Sequence, residues 1–167
     1  GIWIGHAAHN RIAHNSIHDT SYSGLSVGWV WGYGPSGAFD NLIEHNEIYN
    51  IAVNGWMHDL AGIYMLGVSP GTIVRYNHVH HVGNGNNVIG IYTDAGSSHI
   101  RWECNLVDRA DSTYLHSVGK NNVIVNNVFA NYNHGLVRSR DESPDLSFVV
   151  ERNVFWSGEQ EVLLDWQ

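Results

Sequence analysis

Apolar and polar positions along this chain recur in fixed relation to one another. Ile12, Ile43, Val74, Trp102, Ile124 and Val150 each stand three residues before an asparagine, and Ile17, Ile48, Val79, Val107, Phe129 and Phe155 each stand two residues after it. Those asparagines, Asn15, Asn46, Asn77, Asn105, Asn127 and Asn153, follow one another at intervals of 31, 31, 28, 22 and 26 residues. A second phrase lies between them, as in Gly24-Leu25-Ser26, Gly62-Ile63-Tyr64 and Gly90-Ile91-Tyr92. Each repeat therefore carries at least two short strand-type runs separated by polar turn residues, and no apolar run has the 3.6 period of a helix.

No single unit of this kind buries its own apolar face, and stacking of units does it instead. The pattern predicts an all-β fold, a single β-helix domain over residues 1–167 with about six to seven coils. Coils of unequal length point to the right-handed, pectate-lyase-like parallel β-helix, since the left-handed hexapeptide kind holds a multiple of six. At roughly 4.8 Å per coil the rod is only about 30 Å long. It opens in mid-coil on Gly1-Ile2-Trp3-Ile4, and the expectation is a fragment of a longer β-helix chain. The recurring asparagine predicts an internal ladder of side-chain amides.

Composition narrows the partners. A net charge of −8 with one lysine, Lys120, speaks against nucleic acid, which needs a basic footprint. No membrane span or cofactor motif is evident, and the single Cys104 excludes an internal disulfide. Histidines fall into columns, His14 over His45, and His18 with Tyr49, His80 and Asp108. They match no spaced zinc signature, so no metal ligand is expected.

Two insertions carry candidate chemistry. The first, Trp29-Val30-Trp31-Gly32-Tyr33-Gly34-Pro35, is a glycine-rich loop whose aromatics either stack on sugar rings or simply pack the loop onto the rod. The second, residues 51–60, brings Trp56, His58 and Asp59, and long loops on a solenoid usually build its binding surface. Counting from the strand glycines, Ser26, Tyr64 and Tyr92 should face solvent, as should Leu66 and Asp94 two places on.

Asp59-Leu60-Ala61-Gly62-Ile63-Tyr64, then Gly90-Ile91-Tyr92-Thr93-Asp94-Ala95-Gly96, then Gly119-Lys120-Asn121-Asn122, and finally Arg138-Ser139-Arg140 ahead of Arg152-Asn153 resemble successive coils of glycoside hydrolase family 141. The similarity runs from about Asp59 to Trp156. That family includes α-L-fucosidase and xylanase activities on plant polysaccharides. The resemblance implies a hydrolase of fucosyl or xylosyl linkages with Asp59 and Asp94 as the acidic pair, one as acid or base and the other as nucleophile or water activator. It further implies an extracellular or periplasmic protein with a polysaccharide or oligosaccharide substrate. Relatives commonly have an acidic residue where this chain has Ala95, and a histidine pair where it has Leu115-His116-Ser117, which leaves His116 as the candidate contact. Trp29, Trp56, His58, Tyr64 and Tyr92 complete the proposed cleft, with Arg138 and Arg140 either anchoring substrate or pairing with Asp141 and Glu142.

Glycosidase carboxyls lie about 5–5.5 Å apart in retaining enzymes and about 6.5–9.5 Å apart in inverting ones. On straight adjacent strands Asp59 and Asp94 would be about 23 Å apart, so the pair requires the loop before Ala61 to fold back. Otherwise Asp94 needs another partner, such as Glu142. Two other classes remain open, a polysaccharide lyase or epimerase and a non-catalytic carbohydrate-binding rod, and the bland alternative for Asp59 and Asp94 is that of turn residues capping backbone amides.

Overall fold

The computed structural model describes residues 1–54, 57–83, 88–132, 134–138, 147–157 and 164–166, without the side chains of 115, 134–138 and 164–166. Trp56 and Arg140 lie outside the described residues. The described strands form a parallel β-solenoid with three faces, one sheet of seven strands and two of six. Each coil contributes one strand to each face in turn, so every strand inside a sheet pairs with its counterparts in the coils before and after, and the strands that end each sheet pair on one side. No described residue is helical, and no described helix is long and apolar enough to cross a membrane.

Single residues in the left-handed region turn the corners. The position before each ladder asparagine takes it at His14, His45, Tyr76, Cys104, Asn126 and Arg152, with φ between 54° and 59°. Four residues after the first five of these asparagines, Asp19, Asn50, His81, Arg109 and Asn131 do the same. A third corner uses His9, Asp40, Gly71, His99 and Asn121. Asn, Asp and His tolerate this conformation best among non-glycine residues, which accounts for much of the polar punctuation in the sequence.

Inside, the expected columns are continuous. Ile43, Val74, Trp102 and Ile124 line one inner wall, Ile48, Val79, Val107 and Phe129 another, and all are fully buried. The asparagine ladder runs through the core from end to end. Nδ2 of Asn46 donates to Oδ1 of Asn77 at 2.9 Å and to the Ile12 carbonyl at 3.0 Å, and the pattern repeats from Asn77 to Asn105 and from Asn105 to Asn127. A second polar column stands five residues earlier. Asn10 donates to Asn41 Oδ1, the Asn41 amide donates to Thr72 Oγ1, and the Ile100 amide donates to Asn122 Oδ1.

On one outer face, charge alternates across coils. Glu44 takes the Arg11 Nε at 2.8 Å on one oxygen and the Arg75 Nε at 2.9 Å on the other. The Arg11 and Arg75 hydrogen bonds hold the Glu44 carboxyl below its ordinary value. A carboxyl depressed by folding contributes stability above its unfolded pKa, and that contribution disappears as pH falls through the lower folded value. Thermal unfolding followed from pH 7 down to pH 3 should therefore show a loss below the usual carboxylate range that Glu44→Gln largely removes. A profile identical in the two proteins would deny Glu44 this role.

Candidate active site

The seven-stranded face carries the site. In the register of Ala61–Val68 against Ile89–Ser98, Tyr64 lies beside Tyr92 and Leu66 beside Asp94. Alternation along a strand sends Tyr92 and Asp94 to the outer side while Ile91 and Thr93 face the core. The Tyr64 hydroxyl donates to Asp94 Oδ2 at 2.5 Å, and the Tyr92 hydroxyl donates to Oδ1 at 3.1 Å. Burial and the Asp94 charge push both phenols far above the usual tyrosine value, so both stay protonated donors at any ordinary pH.

The outer face is not open, contrary to the sequence expectation. Tyr64 is 3% and Tyr92 6% exposed, because the aromatic insertion covers them. After Gly28 the chain leaves its strand and climbs across two coils. Its Val30 carbonyl oxygen lies where a Cβ on Gly67 would stand 2.2 Å away, and its Gly32 carbonyl oxygen where one on Gly96 would stand 2.0 Å away. Gly67 and Gly96 also hold φ of 86° and 81°, so no side chain fits either place. The Gly32 amide closes the crossing by donating to the Ala95 carbonyl at 3.2 Å.

Trp29 and Trp31 of the insertion and Trp3 of the strand Ile2–Ile4 form a row of indoles that ends on Tyr64, the phenol bonded to Asp94. Trp29 meets the Tyr64 ring edge-on at 5.3 Å, and Trp3 and Trp31 meet Trp29 edge-on at 6.0 and 6.2 Å. Trp3 and Trp31 are 63% and 65% exposed, leaving indole surface free at the end of the row. A cavity of about 610 Å³ opens between Trp3, Trp29, Tyr22 and Ser26. Sequence reasoning did not single out Trp3 or Tyr22 as site residues. The signal for Trp3 was present, since it pairs with Ser26 and so heads the same column as Tyr64 and Tyr92.

Asp59 is exposed, in the left-handed conformation, one residue before the buried Leu60 that anchors the strand. The Tyr22 hydroxyl donates to its carbonyl at 2.9 Å. Burial raises the Tyr22 and Tyr92 phenols, and the charges of Asp59 and Asp94 raise both further. The Tyr22 bond to the Asp59 carbonyl ties the turn before Ala61 to this strand-side phenol. His58 lies exposed in that turn.

His116 does not reach this surface. It pairs with Thr93 on the inner side, is fully buried, and holds Thr93 Oγ1 at 3.0 Å from Nδ1 with its ring edge-on to Phe148. The resemblance made it a substrate contact, and strand alternation makes it a core residue. Arg138 ends the strand His134–Arg138 beside His116, and its side chain lies outside the described set.

What this arrangement can do chemically is present a carboxylate, gripped by two neutral phenols, to a ligand resting on indole faces. No family model and no curated protein matches this chain. A solved structure described as a glycoside hydrolase is similar to it, with a TM-score of 0.59 and 26% identity, over 92% of this chain. The chain spans 21% of that structure's length.

Proposed function

We propose that this chain forms part of a glycoside hydrolase built on a right-handed parallel β-helix, acting outside the cytoplasm on fucosyl or xylosyl linkages of plant or other complex polysaccharide. The observation that carries the reading is the Asp94 carboxylate, which accepts from Tyr64 and Tyr92 at the foot of the indole row. A sugar ring offers an apolar face to indole and hydroxyls to carboxylates, and this surface carries both, linked through Tyr64. The similar solved structure, described as a glycoside hydrolase, supports the same class.

The roles are divided between the two carboxyls. Asp94, with both oxygens accepting from phenols, suits the ionised partner, a nucleophile or the base that activates water. Asp59, exposed on the turn before Ala61, is the second carboxyl of the pair and takes the remaining role, that of the acid at the leaving oxygen. Tyr64 and Tyr92 hold Asp94 in place, and Trp29, Trp31 and Trp3 bind sugar beside it.

A screen of the protein against aryl α-L-fucosides and aryl β-xylosides, followed by the matching oligosaccharides, tests this. Release of the aryl group, with the anomer of the freed sugar read by proton NMR, is the expected result. Products absorbing in the near ultraviolet as 4,5-unsaturated sugars would replace hydrolysis with elimination. Binding of oligosaccharide with no turnover of any substrate would leave only a binding surface.

A further inference from the structure

A second cluster of chemistry-bearing side chains sits on a six-stranded face, apart from the aspartates. Glu47–Ile51 and His78–Val82 are parallel neighbours, with Glu47 opposite His78 and Tyr49 opposite His80. Residues two apart on a strand share a face, so His78 and His80 project together, their ring centroids 4.2 Å apart. Nε2 of His80 lies 3.2 Å from Oε1 of Glu47. One ligand atom from each of Glu47, His78 and His80 falls within 4.8 Å of the others. His78 Nε2 is shut off from solvent and has no hydrogen-bond partner.

We propose that Glu47, His78 and His80 form a binding site for a divalent first-row transition ion, with zinc as its natural probe. Two imidazoles and one carboxylate are the donors such an ion takes, at about 2.0–2.2 Å, with water filling the fourth position. Calcium and magnesium prefer all-oxygen shells and find too few oxygens here. A bound ion would also satisfy the orphaned His78 nitrogen, whose burial otherwise carries a cost.

His80 is already oriented for this role. Its ring stacks on Tyr49 at 5.0 Å with 1° between the planes, and its Nδ1 lies 2.7 Å from His81 Nδ1. When His80 donates from Nδ1 to His81, its Nε2 lone pair points toward Glu47 and the ion, the arrangement that outer partners of metal-bound histidines usually enforce. The ion would join ligands from two successive coils and so act as a cross-coil staple on a face separate from the indole row.

The test uses the untagged protein, stripped with a chelator and titrated with zinc, cobalt, nickel or calcium ions. Calorimetry should show a saturable one-to-one step for zinc, cobalt and nickel and none for calcium. Thermal unfolding should move up by several degrees with zinc, because a ligand of the folded state alone stabilises it. Cobalt should give the intense visible bands of a four-coordinate site. His78→Ala and Glu47→Gln should each abolish the step, and His81→Ala should weaken it by about tenfold to a hundredfold. Glu47 is half-exposed, so Glu47→Gln tests the ligand even if His78→Ala fails to fold. Absence of a one-to-one step, or equal binding by Glu47→Gln and His14→Ala, would overturn the site.

Discussion

Asn77→Ala is expected to destabilise the protein by about 3–5 kcal/mol, because each buried polar group left without a partner costs about 1–3 kcal/mol. The Asn77 Oδ1 accepts from both the amide and the Nδ2 of Asn46, at 3.0 and 2.9 Å, and its own Nδ2 donates to the Ile43 carbonyl and to Asn105 Oδ1, each at 3.0 Å. Alanine removes all four bonds and strands their partners in the buried interior, where Asn77 is 1% exposed. That is a large share of the roughly 5–15 kcal/mol a folded domain has in hand. Asn77→Asp should not rescue it, since a second oxygen would then face the Ile43 and Asn105 oxygens. Asn50→Ala is the comparison, an exposed residue with one bond of 3.2 Å to Asp19, expected to cost about 1–2 kcal/mol because alanine must then hold the left-handed corner at φ 50°. Denaturant midpoints of the variants, read with their slopes, decide the matter. Equal midpoints for Asn77→Ala and Asn50→Ala would mean that the ladder contributes no more than a surface corner.

The ladder is also where the sequence was most legible, and for a physical reason. A buried amide that bonds to its own copy in the next coil leaves a one-letter mark at every repeat, and its flanking apolar positions are then fixed in register. The pairing of Tyr64 with Tyr92 followed from the same register, as did the stacks of His14 on His45 and of Tyr49 on His80. The second polar column was less visible, because Asn10, Asn41, Thr72, Ile100 and Asn122 change identity from coil to coil and Asn in isolation reads as a turn.

What the chain hid was the path of the aromatic insertion. Its composition announces a loop, and nothing local says that it crosses two coils. The cue lay elsewhere, in Gly67 and Gly96, which follow the outward Tyr64 and Tyr92 and leave room for the Val30 and Gly32 carbonyls. His116 is the opposite case. Counting from Tyr114, which faces the core, strict alternation already sends His116 inward beside Thr93, and family likeness alone drew it to the surface. The Glu47, His78 and His80 cluster escaped notice because its ligands come from two coils, and a linear motif describes only one.

Asp94→Asn should lower turnover of any aryl glycoside the protein cleaves by about 10²–10⁴-fold, the range for losing a general acid or base, and by more if Asp94 is the nucleophile. The amide keeps the size of the side chain and an oxygen for the Tyr64 hydroxyl, and the Tyr92 hydroxyl can accept from the new NH2 instead of donating. Folding and sugar binding on Trp29 and Trp31 should therefore persist while chemistry fails. Tyr64→Phe should have a smaller effect of the same kind. It removes one hydrogen bond to a charged group, worth about 1.5–3 kcal/mol, or about tenfold to a hundredfold in kcat/KM. If Tyr64 acts through Asp94, the two losses cannot add, and Tyr64→Phe should change little in the Asp94→Asn background. Additive losses would mean that Tyr64 touches the substrate itself. Asp94→Asn with more than half the original turnover would remove Asp94 from the chemistry and shift the search to other carboxylates, with the indole row left as a place where sugar binds.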